Sequence, residues 1–137
     1  MKLHTLLGHI DEAESTGDLS GASPVFAVVR NEKASLDSPE AWDAISIVDL
    51  EVAAESGSID LIADASEAAT DMTVAALRAR AAGLSADCFG HEVFVGQRAD
   101  GAVADETVPV VEAYGDEHGL GLMSWFEGYE DWLQSQE

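Results

Sequence analysis

The sequence predicts an α+β fold, a single acidic domain over residues 1–137 with a mainly antiparallel sheet and about three helices. Hydrophobic residues make up 47% of the 137 residues, enough to form a core in a chain of this length. Apolar residues recur at helical spacing in three segments and follow strand-like patterns in six others. The resulting order, one helix before each of two sets of three strands and a last helix, favours helices packed against one face of a sheet.

The first segments combine a helix, a strand and a short helical turn. Leu3, Leu6, Leu7 and Ile10 have helical spacing and predict an amphipathic helix over residues 3–13. Residues 24–29 are rich in β-branched and aromatic residues and predict a buried strand. Ser38-Pro39-Glu40 predicts one helical turn, because proline is favoured at the first helical position.

A β-hairpin is the clearest local prediction. Residues 44–54 and 58–63 are strand-like and are separated by Ser56-Gly57, a plausible two-residue turn. That turn places Asp49 opposite Asp64 and gives one apolar face made of the pairs Val52–Leu61, Ala54–Ile59 and Leu50–Ala63. The other face, on which Ile62 is the apolar exception, carries a row of carboxylates: Asp49, Glu51, Glu55, Asp60 and Asp64.

The second set of elements begins with a helix over residues 72–82, capped by Asp71 and ended by Gly83. Residues 92–98, 107–114 and 120–124 predict three strands. Because Pro109 has no N–H group to donate to a neighbouring strand, we expect its strand to lie at an edge of the sheet.

A C-terminal amphipathic helix is predicted over residues 124–135. Its aromatic and apolar side chains fall on one stripe and are expected to hold the helix against the sheet: Trp125, Phe126, Tyr129, Trp132 and Leu133. Its other side is acidic, which is the usual character of an outer helical face.

The charge balance excludes several classes of function. The chain has 27 acidic and six basic side chains and a formal net charge of −21. Direct binding to nucleic acid or to an anionic membrane depends on lysine and arginine, which are too few here. Cys88 is the sole cysteine, so an internal disulfide is excluded, and no signal peptide or membrane span is predicted. We therefore expect a cytoplasmic protein.

The sequence predicts no catalytic residue, no metal site and no cofactor. His4 and His9 are five residues apart, which does not bring them together on one helical face, and no other histidine or cysteine spacing is typical of zinc. Cys88 with His91 could form a nucleophilic pair, but an incidental or buried cysteine is the favoured interpretation. The glycines near residue 115 are flanked by acids, which repel phosphate.

In size and charge the chain resembles small acidic inhibitors that imitate DNA, such as anti-restriction and anti-CRISPR proteins. The resemblance carries no motif and assigns no residue. It implies a non-enzymatic interaction protein that occupies the basic nucleic-acid-binding groove of a partner protein. Within that hypothesis we place the contact on the hairpin carboxylates described above. Carboxylates gathered into a patch would favour this hypothesis.

Two alternatives stay open. One is a housekeeping domain of a halophile, in which the carboxylates are spread over the surface to hold water in high salt. The other is a small hydrolase, which would need a concave pocket with a perturbed acid or histidine.

Overall fold

The computed structural model describes residues 1–31, 34–35, 38–53, 57–64, 72–99, 102–126 and 128–135. The helices are α1 (Leu3–Thr16), α2 (Val74–Ala82) and α3 (Tyr129–Ser135). The strands are β1 (Val25–Arg30), β2 (Trp42–Ala53), β3 (Ser58–Asp64), β4 (Glu92–Ala99), β5 (Ala102–Asp116) and β6 (Gly119–Ser124). Two short 3₁₀ helices cover Pro39–Ala41 and Ala86–Gly90. The α+β class and the order of elements are confirmed.

The six strands close into a barrel in the order β1-β2-β3-β4-β5-β6. Four neighbouring pairs are antiparallel, and the pairs β3–β4 and β6–β1 are parallel. The mainly antiparallel sheet is therefore confirmed. Its closure differs from the expected sheet with one covered face, and it gives every strand two neighbours.

The core lies inside the barrel and beneath α1 and α2. Inward-facing strand residues form it, among them Val25, Ile47, Ile59, Leu61, Val93, Val110, Leu120 and Leu122. Each helix adds three buried residues at the same spacing: Leu3, Leu6 and Ile10 from α1, and Val74, Leu77 and Ala81 from α2. Burying each large aliphatic side chain contributes about 1.5–3 kcal/mol, so these two helical stripes are a large part of the stability.

The barrel consists of two equivalent halves, an N-terminal half (α1, β1–β3) and a C-terminal half (α2, β4–β6). In each half the first strand pairs with a long second strand, and the second strand pairs with the third: β1–β2–β3 and β4–β5–β6. The long strand contains a bulge where it pairs with the third strand. The bulge falls between Ile47 and Asp49 in β2 and between Val110 and Glu112 in β5. The registers of β2–β3 and β5–β6 match, with Leu50 opposite Leu61 in one half and Ala113 opposite Leu122 in the other. The β4–β5 pair has a further register shift between Gly96 and Arg98 that the β1–β2 pair lacks.

The segment before each helix joins the opposite half. The Met1 amino group donates to the Val110 carbonyl at 3.0 Å, and Val93 N–H donates to the Met1 carbonyl at 2.8 Å. At the equivalent place Met72 N–H donates to the Ile47 carbonyl at 2.7 Å, and Val25 N–H donates to the Met72 carbonyl at 2.8 Å. Each helix is thereby fixed at the bulge of the other half, which makes the two halves interdependent.

Two local predictions in the C-terminal half are wrong. Helix α2 begins at Val74, and its cap is Thr73, whose hydroxyl accepts a hydrogen bond from Ala76 N–H at 3.1 Å; Asp71 lies outside the described residues. Pro109 lies in a strand with two neighbours, not at an edge. Its carbonyl accepts from Trp125 N–H at 2.9 Å, so its nitrogen also points to the β6 side, just beyond the last β5–β6 pair, Val110–Ser124.

The C-terminal helix is shorter than predicted. Strand β6 includes Ser124, and Gly128 has a φ of +90°, which a helix does not accommodate, so α3 starts at Tyr129. Trp42 at the start of β2 contacts Phe126 and Trp132 edge to face, with ring centroids 5.3 and 5.6 Å apart. The aromatic residues hold α3 against the sheet as expected, except that Trp125 and Leu133 are exposed.

Candidate acidic interface and the α1–β5 groove

The register of the β2–β3 hairpin differs from the prediction by two residues. Leu50 lies opposite Leu61, not Ala63, because β2 ends at Ala53 and β3 begins at Ser58, so the connection is longer than two residues. A shift of two residues keeps Asp49, Glu51, Asp60 and Asp64 on their predicted face. The predicted pair of Asp49 with Asp64 is wrong, since Asp49 lies opposite Ile62 and Asp64 lies opposite Ser46.

The observed register creates a different pair of like charges. Glu51 on β2 lies directly opposite Asp60 on β3, and we call these two residues the hairpin pair. Side chains in such positions have Cβ atoms about 4.5–5.5 Å apart. The Ser58 hydroxyl donates to Asp60 Oδ1 at 3.4 Å. Within the described parts of the chain no ion pair involves Glu51 or Asp60, so their negative charges are available to a partner.

The other predicted carboxylates are less uniform. Arg80 in α2 lies 2.8 Å from Asp49 Oδ1, so Asp49 is held by a cation of the same chain. Asp64 is half-buried and in register with Arg98 of β4, while Glu55 lies outside the described residues. The fully buried Ile62 separates Asp60 from Asp64. Four of the five predicted residues share the outer face of the hairpin, but they do not form the regular ladder that was expected.

Acidic side chains also cover other elements. Exposed carboxylates lie on α1 (Glu12), on the turn after β5 (Glu117) and on α3 (Glu130 and Asp131). Three arginines are engaged within the chain: Arg78 contacts Asp11 and Glu14 of α1, Arg80 contacts Asp49, and Arg30 donates to the backbone carbonyls of Asn31, Ala34 and Ala41. The negative surface therefore extends beyond the hairpin.

A groove of about 170 Å³ lies between α1 and β5, and we call it the α1–β5 groove. Its polar lining comes from His9, Glu12, Thr16, Asp18 and Tyr114. Thr16 donates from its hydroxyl to Asp18 Oδ2 at 3.0 Å. Burial raises the pKa of Tyr114, and the charges of Asp116 and Glu112 raise it further, so its phenol is neutral at physiological pH. The groove offers carboxylates and a neutral aromatic ring.

Tyr114 borders the groove because a glycine lies beside it. A Cβ atom at Gly121 would be 2.6 Å from Tyr114 Cζ, so the ring can cover the backbone of β6 only where a side chain is missing. This groove was not predicted, since α1 and β5 are far apart in the chain. A signal for the repeat that forms it was present: Val25-Phe26 followed by Arg30 recurs as Val93-Phe94 followed by Arg98.

The opposite barrel end has a hollow of about 270 Å³, lined by Arg30, Gln97, Ser124 and apolar neighbours. The Ser124 hydroxyl is buried and has no hydrogen-bond partner among the described residues. The buried Cys88 has its Sγ 3.5 Å from Ser85 Oγ. No group of three or more potential metal ligands occurs in the described portion of the chain.

No helix within the described ranges combines the length and the apolar character that crossing a membrane requires. Comparison of the chain with protein-family models, with curated proteins and with solved structures gave no match. A function is therefore inferred from the geometry and the charges of the chain alone.

Proposed function

We propose that this chain is a non-enzymatic interaction protein whose acidic β2–β3 face binds a basic surface of a partner, of the kind that DNA-binding proteins use to hold DNA. The observation that carries the proposal is the hairpin pair, two carboxylates directly opposite each other without a neutralising cation among the described residues. Like charges in such positions destabilise a sheet by about 0.2–1 kcal/mol.

The fold itself does not require this pair. At the equivalent position of the C-terminal half, Tyr114 lies opposite Gly121, and neither residue carries charge. The same strand pairing is therefore compatible with neutral residues in this molecule. The fold therefore does not require the repulsion between Glu51 and Asp60. Contact of these two carboxylates with a cationic partner explains why both are present.

The charge of the whole chain supports the same proposal. A net charge of −21 attracts a basic protein over a long range and accelerates association at low salt. Asp49, held by Arg80, contributes less than Glu51 and Asp60 to the outward field. Binding is expected to weaken steeply as the salt concentration rises, because screening shortens the range of these charges.

The test compares two triple charge reversals with the same change in net charge. One variant carries Glu51→Lys, Asp60→Lys and Asp64→Lys, and the control carries Glu40→Lys, Glu117→Lys and Glu130→Lys, all at exposed positions. A set of purified DNA-binding proteins is titrated with each variant in competition with a labelled DNA duplex. We expect native protein and control to displace the duplex from at least one of them, and the hairpin variant to lose about 100-fold or more in affinity. No displacement by the native protein, or equal losses in both variants, would contradict the proposal.

A second candidate, adaptation to high salt, is favoured by a separate observation. Exposed carboxylates occur on α1, on α3 and on strands of both halves, and the chain contains few basic residues. This candidate predicts that the unfolding midpoint continues to rise with KCl up to molar concentrations. An unfolding midpoint in dilute buffer equal to that in molar KCl would exclude it.

A further inference from the structure

The two halves place different residues at one equivalent position on their helices. The matching buried residues, Leu6 in α1 and Leu77 in α2, align the two helices turn by turn. On this alignment His9 of α1 corresponds to Arg80 of α2. The strand registers make Ala113 of β5 the counterpart of Leu50 of β2.

Where α2 contacts β2, the residue at this position supplies a guanidinium group. The Arg80 side chain reaches from α2 to β2, where Nη2 donates to the Leu50 carbonyl at 2.7 Å and lies 2.8 Å from Asp49 Oδ1. A carbonyl and a carboxylate thus bind one planar cation between a helix and the long strand. The contact satisfies an acceptor that strand pairing leaves open.

Where α1 contacts β5, the corresponding space is the α1–β5 groove. His9 and Ala113 both line it, as the equivalence requires, but the shorter imidazole leaves a cavity of about 170 Å³. Glu112, at the position of Asp49, accepts a hydrogen bond from the Tyr129 hydroxyl at 3.3 Å. Glu12 and Asp18 line the groove and supply negative charge, and none of the described residues that line it is a lysine or an arginine.

We propose that the α1–β5 groove binds a guanidinium group, at the place equivalent to the one that the Arg80 guanidinium occupies between α2 and β2. The Ala113 carbonyl is the acceptor equivalent to that of Leu50, the carboxylates of Glu12 and Asp18 neutralise the charge, and the Tyr114 ring offers a face for a cation–π contact. Guanidinium is preferred to ammonium because it is planar, offers five donors and is less strongly hydrated. The group can come from an arginine side chain of a protein or from a free arginine-like molecule.

The first test is an NMR titration of the ¹⁵N-labelled chain with three probes: N-acetyl-arginine amide, N-acetyl-lysine amide and free arginine. We expect saturable shifts centred on Ala113, Tyr114 and His9, with the blocked arginine binding several-fold more tightly than the blocked lysine. Tighter binding of the blocked arginine identifies a side chain within a protein as the source, and tighter binding of free arginine identifies a small molecule. Shifts that are spread over the acidic surface, or equal affinity for blocked arginine and lysine, would overturn the proposal.

Two sets of variants provide the second test. The His9→Arg substitution places a guanidinium at the position of Arg80, so it should fill the groove and abolish probe binding. His4→Arg adds the same charge at an exposed position of the same helix and should leave binding unchanged. Glu12→Gln with Asp18→Asn should weaken binding roughly tenfold, whereas Glu40→Gln with Glu117→Gln should not. Unchanged binding by His9→Arg would overturn the proposal, and if that variant fails to fold, the neutralised pair decides.

The inference does not depend on the proposed hairpin interface. The triple reversal Glu51→Lys, Asp60→Lys and Asp64→Lys leaves every groove residue intact, so arginine binding should persist in it. Loss of partner binding in that variant together with retained arginine binding would separate the two sites. Loss of arginine binding in His9→Arg with partner binding retained would separate them in the opposite direction.

Discussion

Glu51 lies opposite Asp60 in the N-terminal half, whereas at the same place in the C-terminal half the ring of Tyr114 covers Gly121. The two outer surfaces differ in charge, size and shape, yet the strands beneath them pair in the same register. The inner positions are alike, for Ile59 and Leu61 correspond to Leu120 and Leu122 and all four are buried. Inward-facing residues and bulges therefore determine the strand register of the barrel, while outward-facing residues are free to carry function.

The helices show the same division between inner and outer positions. Leu6 and Leu77 are both fully buried at equivalent places, while the outward residues His9 and Arg80 differ. The two helices thus share their buried residues and differ at the outward position next to the long strand. The predictions below test first the shared core and then the differences.

Truncating the equivalent core leucines should have the largest effect. Leu6→Ala and Leu77→Ala each remove a fully buried side chain and should lower the free energy of unfolding by about 2–5 kcal/mol. Both losses should fall within this range, because each leucine is fully buried at the equivalent position of its helix. Urea denaturation followed by tryptophan fluorescence measures both. A Leu77 variant of native stability beside an unfolded Leu6 variant would show that the helices are not equivalent.

Exchanging the first residues of β3 and β6, Ser58 and Gly119, should destabilise the fold to different extents. Gly119 has a φ of +129°, and a Cβ atom there would be 2.4 Å from the Pro24 carbonyl oxygen. Gly119→Ser should therefore destabilise the fold by about 2–3 kcal/mol through backbone strain and steric overlap. The reverse exchange, Ser58→Gly, creates no overlap and should cost about 1 kcal/mol or less. Thermal unfolding of both variants checks this prediction. It would be contradicted if Gly119→Ser lowered the stability no more than Ser58→Gly does.

Most elements could be predicted from the sequence because each depends on a local pattern. Leu3, Leu6 and Ile10 alone define the inner face of α1, and Ser38 and Pro39 alone define a helical turn. Closure of the barrel could not be predicted, since it requires the parallel pairs β3–β4 and β6–β1, whose strands meet only in three dimensions. The recurrence of Val25-Phe26 and Arg30 as Val93-Phe94 and Arg98 is too short to predict the equivalence of the two halves without those pairs.

The candidate site was predicted in part. Alternation along the strands correctly assigned Glu51 and Asp60 to one outer face, because side-chain direction depends only on the period of two. Their pairing partners depend on the length of the connection, which Ser56-Gly57 suggested to be shorter than it is. The contact of Arg80 with Asp49 joins α2 to β2, and no local pattern predicts such a long-range ion pair.

Neutralising the hairpin pair should stabilise the N-terminal half. Glu51→Gln with Asp60→Asn removes the repulsion that the neutral Tyr114–Gly121 position never had, and should raise the free energy of unfolding by about 0.2–1 kcal/mol. The gain should shrink as salt is added, because screening weakens the repulsion. Glu117→Gln, at a highly exposed side chain in the turn after β5, is the matched control. Urea denaturation at low and high KCl tests the prediction, and an equal gain in the control would assign it to total charge.

The smallest effect should come from an ion pair that only one half has. Glu92 is paired with the Met1 amino group at 2.8 Å, whereas the equivalent position in the other half is Pro24, which has no charge. The hydrogen bond from the amino group holds the pKa of Glu92 below its ordinary value of 4.5, so the ionised carboxylate favours the folded state. That stabilisation is complete above pH 4.5 and is lost as the pH falls through the lower folded-state value. Because the carboxylate is half-exposed and screened, Glu92→Gln should cost about 0.5 kcal/mol near neutral pH. This cost should disappear in acid. Urea denaturation of the native chain and of Glu92→Gln from neutral to acidic pH measures it, and a constant difference in unfolding free energy would contradict the assignment.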